Sequence, residues 1–136
     1  MGYCISVRVM SFRIKDENKK AALKAMRGLK GQETCGDHFS FSWVDADFHQ
    51  LGTLEEVLKA WRYYPKTDPE TGDIISLDFG GEKWGDDRLL FDTLAPYVEA
   101  GSKIEYLGED GNKWRFVFDG KTLKESRPQV TWSDEG

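Results

Sequence analysis

Three short apolar runs in the last third of the chain constrain the fold more than any other feature. Ile104-Glu105-Tyr106, Trp114-Arg115-Phe116-Val117-Phe118 and Thr122-Leu123-Lys124 are joined by Gly108-Glu109-Asp110-Gly111 and by Asp119-Gly120. Alternating apolar and polar residues bounded by turn residues read as strands, and Asp-Gly is a strong two-residue hairpin signal. The expectation is a three-stranded antiparallel meander.

Upstream, strands and helices alternate. Tyr3 to Ile14 reads as a strand in which Ile5, Val7 and Val9 share one parity and Met10, Phe12 and Ile14 the other. That change of phase near Val9-Met10 implies a bulge or burial on both faces. Asp16 is the expected N-cap of a helix carrying Ala22, Ala25, Met26 and Leu29 at helical spacing, with Gly31 as its stop. Phe39, Phe41 and Trp43 alternate with serines as a second strand. Thr53 and Glu56 form a capping box ahead of Leu54, Val57, Leu58 and Trp61. Pro65, Asp68-Pro69 and Thr71-Gly72-Asp73 predict a turn-rich connection, and Asp73 to Phe79 a third strand. Asp86-Asp87 opens a third helix in which Pro96 forces a kink or restart.

The order β-α-β-α-β-α followed by the meander predicts an α+β fold, with one mixed sheet and helices packed on one face. A length of 136 residues suits a single domain, expected over 1–126, with 127–136 as a loose tail. The chain carries a net charge of −5. Its basic residues form no dense block beyond Lys15, Lys19, Lys20 and Lys24, which read as the solvated face of the first helix. That balance argues against independent binding to nucleic acid or an anionic membrane, and leaves open a protein partner with a basic surface. No run approaches the roughly 18 apolar residues of a membrane span. The N-terminus lacks the pattern of a signal peptide. Cys4 and Cys35 fit no pairing motif. A cytoplasmic protein with reduced thiols and no cofactor is the expectation.

Two stretches invite chemistry. In Phe41-Ser42-Trp43-Val44-Asp45-Ala46-Asp47-Phe48-His49-Gln50, continuation of the strand would place Asp45, Asp47 and His49 on one face. The favoured reading is a solvated strand end, because the same parity runs directly on from Phe39, Phe41 and Trp43. The alternative is a metal-dependent hydrolase or nuclease centred on Asp45, Asp47 and His49. Cys35, Asp37 and His38 enrich the ligand pool without any recognised zinc spacing. Around Gly80-Gly81 a phosphate-loop reading fails for want of Gly-Lys-Ser/Thr and because Glu82, Asp86, Asp87 and Asp92 would repel the phosphates. What remains is an aromatic and acidic patch of Glu82, Trp84, Asp86 and Asp87. Tyr63, Tyr64, Tyr97 and Trp132 also flank turns, where they serve either a protein interface or a cover over the core. The function expected is therefore a small non-enzymatic protein-binding module. Self-association through an edge near Val130 and Trp132 is a further possibility.

Met1-Gly2-Tyr3, Gly101-Ser102-Lys103-Ile104-Glu105, Gly108-Glu109-Asp110-Gly111 and Trp114-Arg115 together resemble features of a loose group of small uncharacterised phage and bacterial proteins. The likeness spans most of the chain, but its motifs are not catalytic and it assigns no site residues. What it implies is context: an accessory protein that binds or inhibits a host protein. Glu105, Glu109 and Asp110 are expected to pair with Arg115 across the hairpin in a structural role.

Overall fold

The computed structural model describes residues 3–29, 32–33, 39–40, 44, 46–81 and 83–128. Among these residues, nine strands and three α-helices follow in the order β1 (Tyr3–Ser11), α1 (Lys19–Arg27), β2 (Gln32–Glu33), β3 (Phe39–Ser40), α2 (Leu54–Ala60), β4 (Tyr63–Thr67), β5 (Ile74–Phe79), β6 (Lys83–Trp84), α3 (Asp87–Leu94), β7 (Lys103–Gly108), β8 (Lys113–Phe118) and β9 (Leu123–Ser126). The main sheet has five strands in the order β6-β1-β7-β8-β9, and β2-β3 and β4-β5 form separate two-stranded ladders.

The α+β class is present, but the single mixed sheet expected from the sequence is not. Every strand pairing among the described residues is antiparallel. Two features account for the difference. β1 lies between β6 and β7 and runs antiparallel to both, so the crossover through α3 makes no parallel neighbours. The strand at Asp73 to Phe79 pairs instead with β4, an element the sequence reading treated as turn. Pro65 disguised it. Gly80 N–H donates to Arg62 O, so the bonded pairs on this ladder are Arg62/Gly80 and Tyr64/Asp78. Pro65, opposite Leu77, occupies a non-bonded position on an edge strand, where its missing N–H breaks no ladder bond. Of the strand expected through Phe39, Phe41 and Trp43, Phe39–Ser40 pairs, among the described residues, with Gln32–Glu33; residues 41–43 lie outside the described set, as do 129–136.

Some of the other local expectations hold and some do not. The register of β1 shifts between Val7 and Val9, a bulge that lets both Ile5 and Phe12 reach the core. The Thr53 hydroxyl accepts from Glu56 N–H at 3.2 Å and donates to its carboxylate at 3.0 Å, and Leu54, Val57, Leu58 and Trp61 are buried. Pro96 does not kink α3 but follows it in a 3₁₀ turn, Ala95–Tyr97. Asp16 begins a 3₁₀ turn, and α1 starts only at Lys19. The core is aromatic where α3 meets the sheet: Phe12, Phe91 and Phe118 meet edge to face with centroids 5.7–6.1 Å apart.

The β8-β9 turn depends on one carboxylate. Asp119 accepts from Lys121 N–H (2.9 Å), Thr122 N–H (2.7 Å) and the Thr122 hydroxyl (3.0 Å). These bonds, chiefly that from the Thr122 amide, hold its pKa down at about 2. A depressed carboxylate stabilises the fold above its unfolded value and loses that effect as pH falls through the folded one. Asp119→Ala is therefore expected to lower the thermal midpoint at pH 7, and the gap from the wild type to narrow from about pH 4 downward. Thermal melts across a pH series check this; a gap that is constant with pH would contradict it.

Candidate functional site

The described part of the acidic and aromatic stretch is anchored by an internal charge network. Asp87, at the start of α3, is 1% exposed. Its Oδ1 accepts from Arg62 Nη2 (2.9 Å) and Gly85 N–H (2.8 Å), and its Oδ2 from the Tyr63 hydroxyl (2.6 Å). Because the Tyr63 proton is directed at Asp87, the 2.9 Å contact between the Tyr63 and Tyr106 hydroxyls is donated by Tyr106. Burial drives both phenols well above their usual range, so they remain proton donors at any physiological pH. Arg62 also donates to Lys83 O at 2.6 Å and lies over the Phe79 ring. It adopts φ 75°, a left-handed conformation uncommon outside glycine, and this turns the chain from α2 directly into β4. The network ties β4, β6, β7 and α3 together.

This corrects part of the expected patch. Asp87 is a structural acceptor and has no exposed oxygen to offer a partner. Charge reversal there would bury an ammonium against Arg62, so it cannot serve as a surface probe. Asp86 is half-buried at the N-terminus of α3, where its carbonyl accepts from Leu89 and Leu90. Glu82 lies outside the described residues. Tyr63 is likewise core, whereas Tyr64 is 47% exposed. Its ring lies against Gly80, where any Cβ would collide with it, and this explains the glycine better than a phosphate loop does.

Trp84 does face a cleft, but with companions remote in sequence. It pairs with Tyr3 across β6 and β1, and its ring meets Trp114 and Tyr106 edge to face at 5.1 Å each. Tyr3, Trp84 and Trp114 form the aromatic floor of an open cleft of about 340 Å³, rimmed by Asp110, Asn112, Glu125 and Arg127. The Tyr3 hydroxyl donates to Asp110; that bond lowers the Asp110 pKa and raises that of Tyr3. Tyr3 covers Gly108 so closely that a side chain there would overlap its ring. Arg127 stacks over Trp114 at 5.9 Å and pairs with Glu125 at 3.1 Å, and Glu125 also accepts from Arg88 at 2.9 Å. Trp114 is 6% exposed, and its indole N–H has no partner among the described residues.

The carboxylates of the hairpin have divided roles. Glu105 pairs with Arg115 at 3.0 Å, as the sequence suggested, whereas Glu109 and Asp110 engage Cys4 N–H and Tyr3 of β1. The residues of the cleft that the sequence reading missed are Tyr3, Asp110, Asn112, Trp114, Glu125 and Arg127. The only usable signal was parity: Trp114 shares a face with Phe116 and Phe118 at the end of the meander.

The alternative centre is not assembled as a strand. Residues Ala46–Gln50 form a 3₁₀ helix, so the two-residue strand parity on which the expected alignment rested does not apply there. His49 Nε2 donates to Leu29 O at 2.6 Å and its ring stacks on Phe48. Asp45, Cys35, Asp37 and His38 lie outside the described residues, as does Trp132.

Comparison of the chain with protein-family models, with curated proteins and with solved structures finds no match.

Removing the carboxylate of Asp87 would leave the Arg62 guanidinium uncompensated in the interior. Asp87→Ala is expected to destabilise by about 3–5 kcal/mol, and Tyr106→Phe by about 1 kcal/mol, the worth of one neutral hydrogen bond. Urea denaturation measures both, and equal losses in the two variants would refute the hub role.

Proposed function

We propose that the protein is a small non-enzymatic binding module whose cleft of Tyr3, Trp84 and Trp114 receives a basic side chain of a protein partner. The observation that carries this reading is the seating of Arg127: a guanidinium over the Trp114 ring and against the Glu125 carboxylate. An aromatic floor beside carboxylates attracts cations through ring quadrupole and charge together. Asp110 adds a second negative group at the rim, and the net charge of −5 favours encounter with a basic surface. The fixed neighbours of Trp84 support the same reading, because a rigid anchor loses little freedom on binding. The resemblance to small phage and bacterial proteins suggests the setting: an accessory protein that binds or inhibits a host protein by this contact.

The test uses an Arg-Gly repeat peptide as ligand, with tryptophan fluorescence as readout and a Glu-Gly repeat as control. The Arg peptide is expected to perturb emission and the Glu peptide to leave it unchanged. Glu125→Lys, at the exposed rim, is expected to weaken binding by roughly tenfold or more while circular dichroism remains native. Equal binding by wild type and variant would exclude the cleft.

A further inference from the structure

We propose that Arg127 is the aromatic cleft's own occupant, a proposal that rests on the cation-seat reading above. The partner group that displaces it is an arginine side chain rather than a lysine. β8 and β9 pair as far as Arg115 and Ser126. One step further along that register Arg127 stands opposite Trp114, and Pro128 then ends the ladder because it has no N–H to donate. The guanidinium therefore lands on the core side of the sheet, over the Trp114 ring at 5.9 Å and 3.1 Å from Glu125 Oε2.

Arg127 covers what a partner's cation has to reach. Trp114 is 6% exposed. Tyr3, Trp84 and Tyr106 pack around its indole, and Arg127 lies over the ring. A second cation can take that position only after Arg127 leaves it. The two arginines that share Glu125 differ in how firmly they are held. Arg88 donates to Glu125 Oε1 at 2.9 Å, pairs with Asp92 at 3.3 Å and lies over the Phe116 ring. Arg127 has a single carboxylate partner among the described residues, and its side chain is 61% exposed. Arg88 thus fixes the carboxylate from α3, while Arg127 is free to swing out. An exposed ion pair and an exposed cation–π contact are each weak. Glu125 and Arg127 are nevertheless only two residues apart on an extended chain, so this tethered competitor is always at hand.

The group that fills the seat shows what the seat selects. A guanidinium is planar, so it can lie on a ring face and donate from its edge to a carboxylate in one pose. An ammonium is a compact, strongly hydrated charge and does not stack. An incoming arginine reproduces both contacts of Arg127, whereas a lysine reproduces only the charge. The cleft also holds a carboxylate that no cation meets. Asp110 accepts from the Tyr3 hydroxyl and from the backbone and side-chain amides of Asn112, but has no ion-pair partner among the described residues. A partner with a second basic group gains there a contact that Arg127 does not make. If Arg127 fills the seat in about nine molecules of ten, the affinity of the wild type lies about tenfold below that of an empty cleft.

The experiment titrates the full chain with Arg-Gly and Lys-Gly repeat peptides, read by tryptophan fluorescence. Arg127→Gln is expected to bind the Arg peptide roughly tenfold tighter than the wild type does. The Lys peptide is expected to bind either protein at least about tenfold more weakly than the Arg peptide. Lys124→Gln removes the same charge from the opposite face of β9, where Lys124 stands against Val117, and is expected to change affinity by less than about twofold. An equal gain in that variant would overturn the proposal by making net charge the cause. Equal affinity in the wild type and Arg127→Gln would also overturn it, while leaving the cleft reading in place. A Lys peptide that binds as tightly as the Arg peptide would overturn the selection of arginine. Failure of the Arg peptide to bind either protein would remove the cleft reading and the proposal together.

Discussion

A carboxylate taken out of water is tolerable only when its charge and lone pairs are met, and Asp87 is met by a guanidinium, a phenol and a backbone amide at once. The arrangement of the sheets depends on that satisfaction. Arg62 reaches Asp87 because the chain turns through a left-handed residue straight after α2, and the same turn launches β4. Tyr63 and Tyr106 extend the network from β4 to β7. The hub thus joins the small β4-β5 ladder to the main sheet at a point where the two share few backbone bonds.

The proposed binding cleft lies beside this hub and follows from its geometry. On one side β6 is held in place, with Arg62 bonded to the carbonyl of Lys83, so Trp84 projects against Tyr106 and Trp114 to floor the cleft. On the other side, β5 is bridged to the chain after β1 at Ile74 and Ile14 but stays in a sheet of its own. The cleft brings three aromatic rings together with the charged groups of Asp110, Glu125 and Arg127.

Much of the local structure was legible in the sequence. The meander, the bulge in β1, the capping box at Thr53 and the buried stripe of α2 each arise from interactions within a few residues, which periodicity and turn chemistry report directly. The site was legible only at Trp84. Asp87 looked like a surface acid because sequence cannot show that Arg62 and Tyr63, over twenty residues upstream, fold onto it. The alternative reading aligned Asp47 and His49 because strand parity was extended into what is a 3₁₀ turn. β4 was missed because a proline on an edge strand has the same local signature as a proline in a turn.

The sequence by itself determined the class of the protein, its helices and its terminal meander, since these rest on short-range spacing of apolar and turn residues. Tertiary structure alone decided which strands became neighbours, which acid was buried, and which aromatics met around the cleft. Those outcomes depend on long-range contacts whose partners are far apart along the chain, such as Tyr3 with Asp110 and Arg62 with Asp87. No local pattern encodes them, because the energy that selects them appears only when desolvated groups find one another in the folded interior.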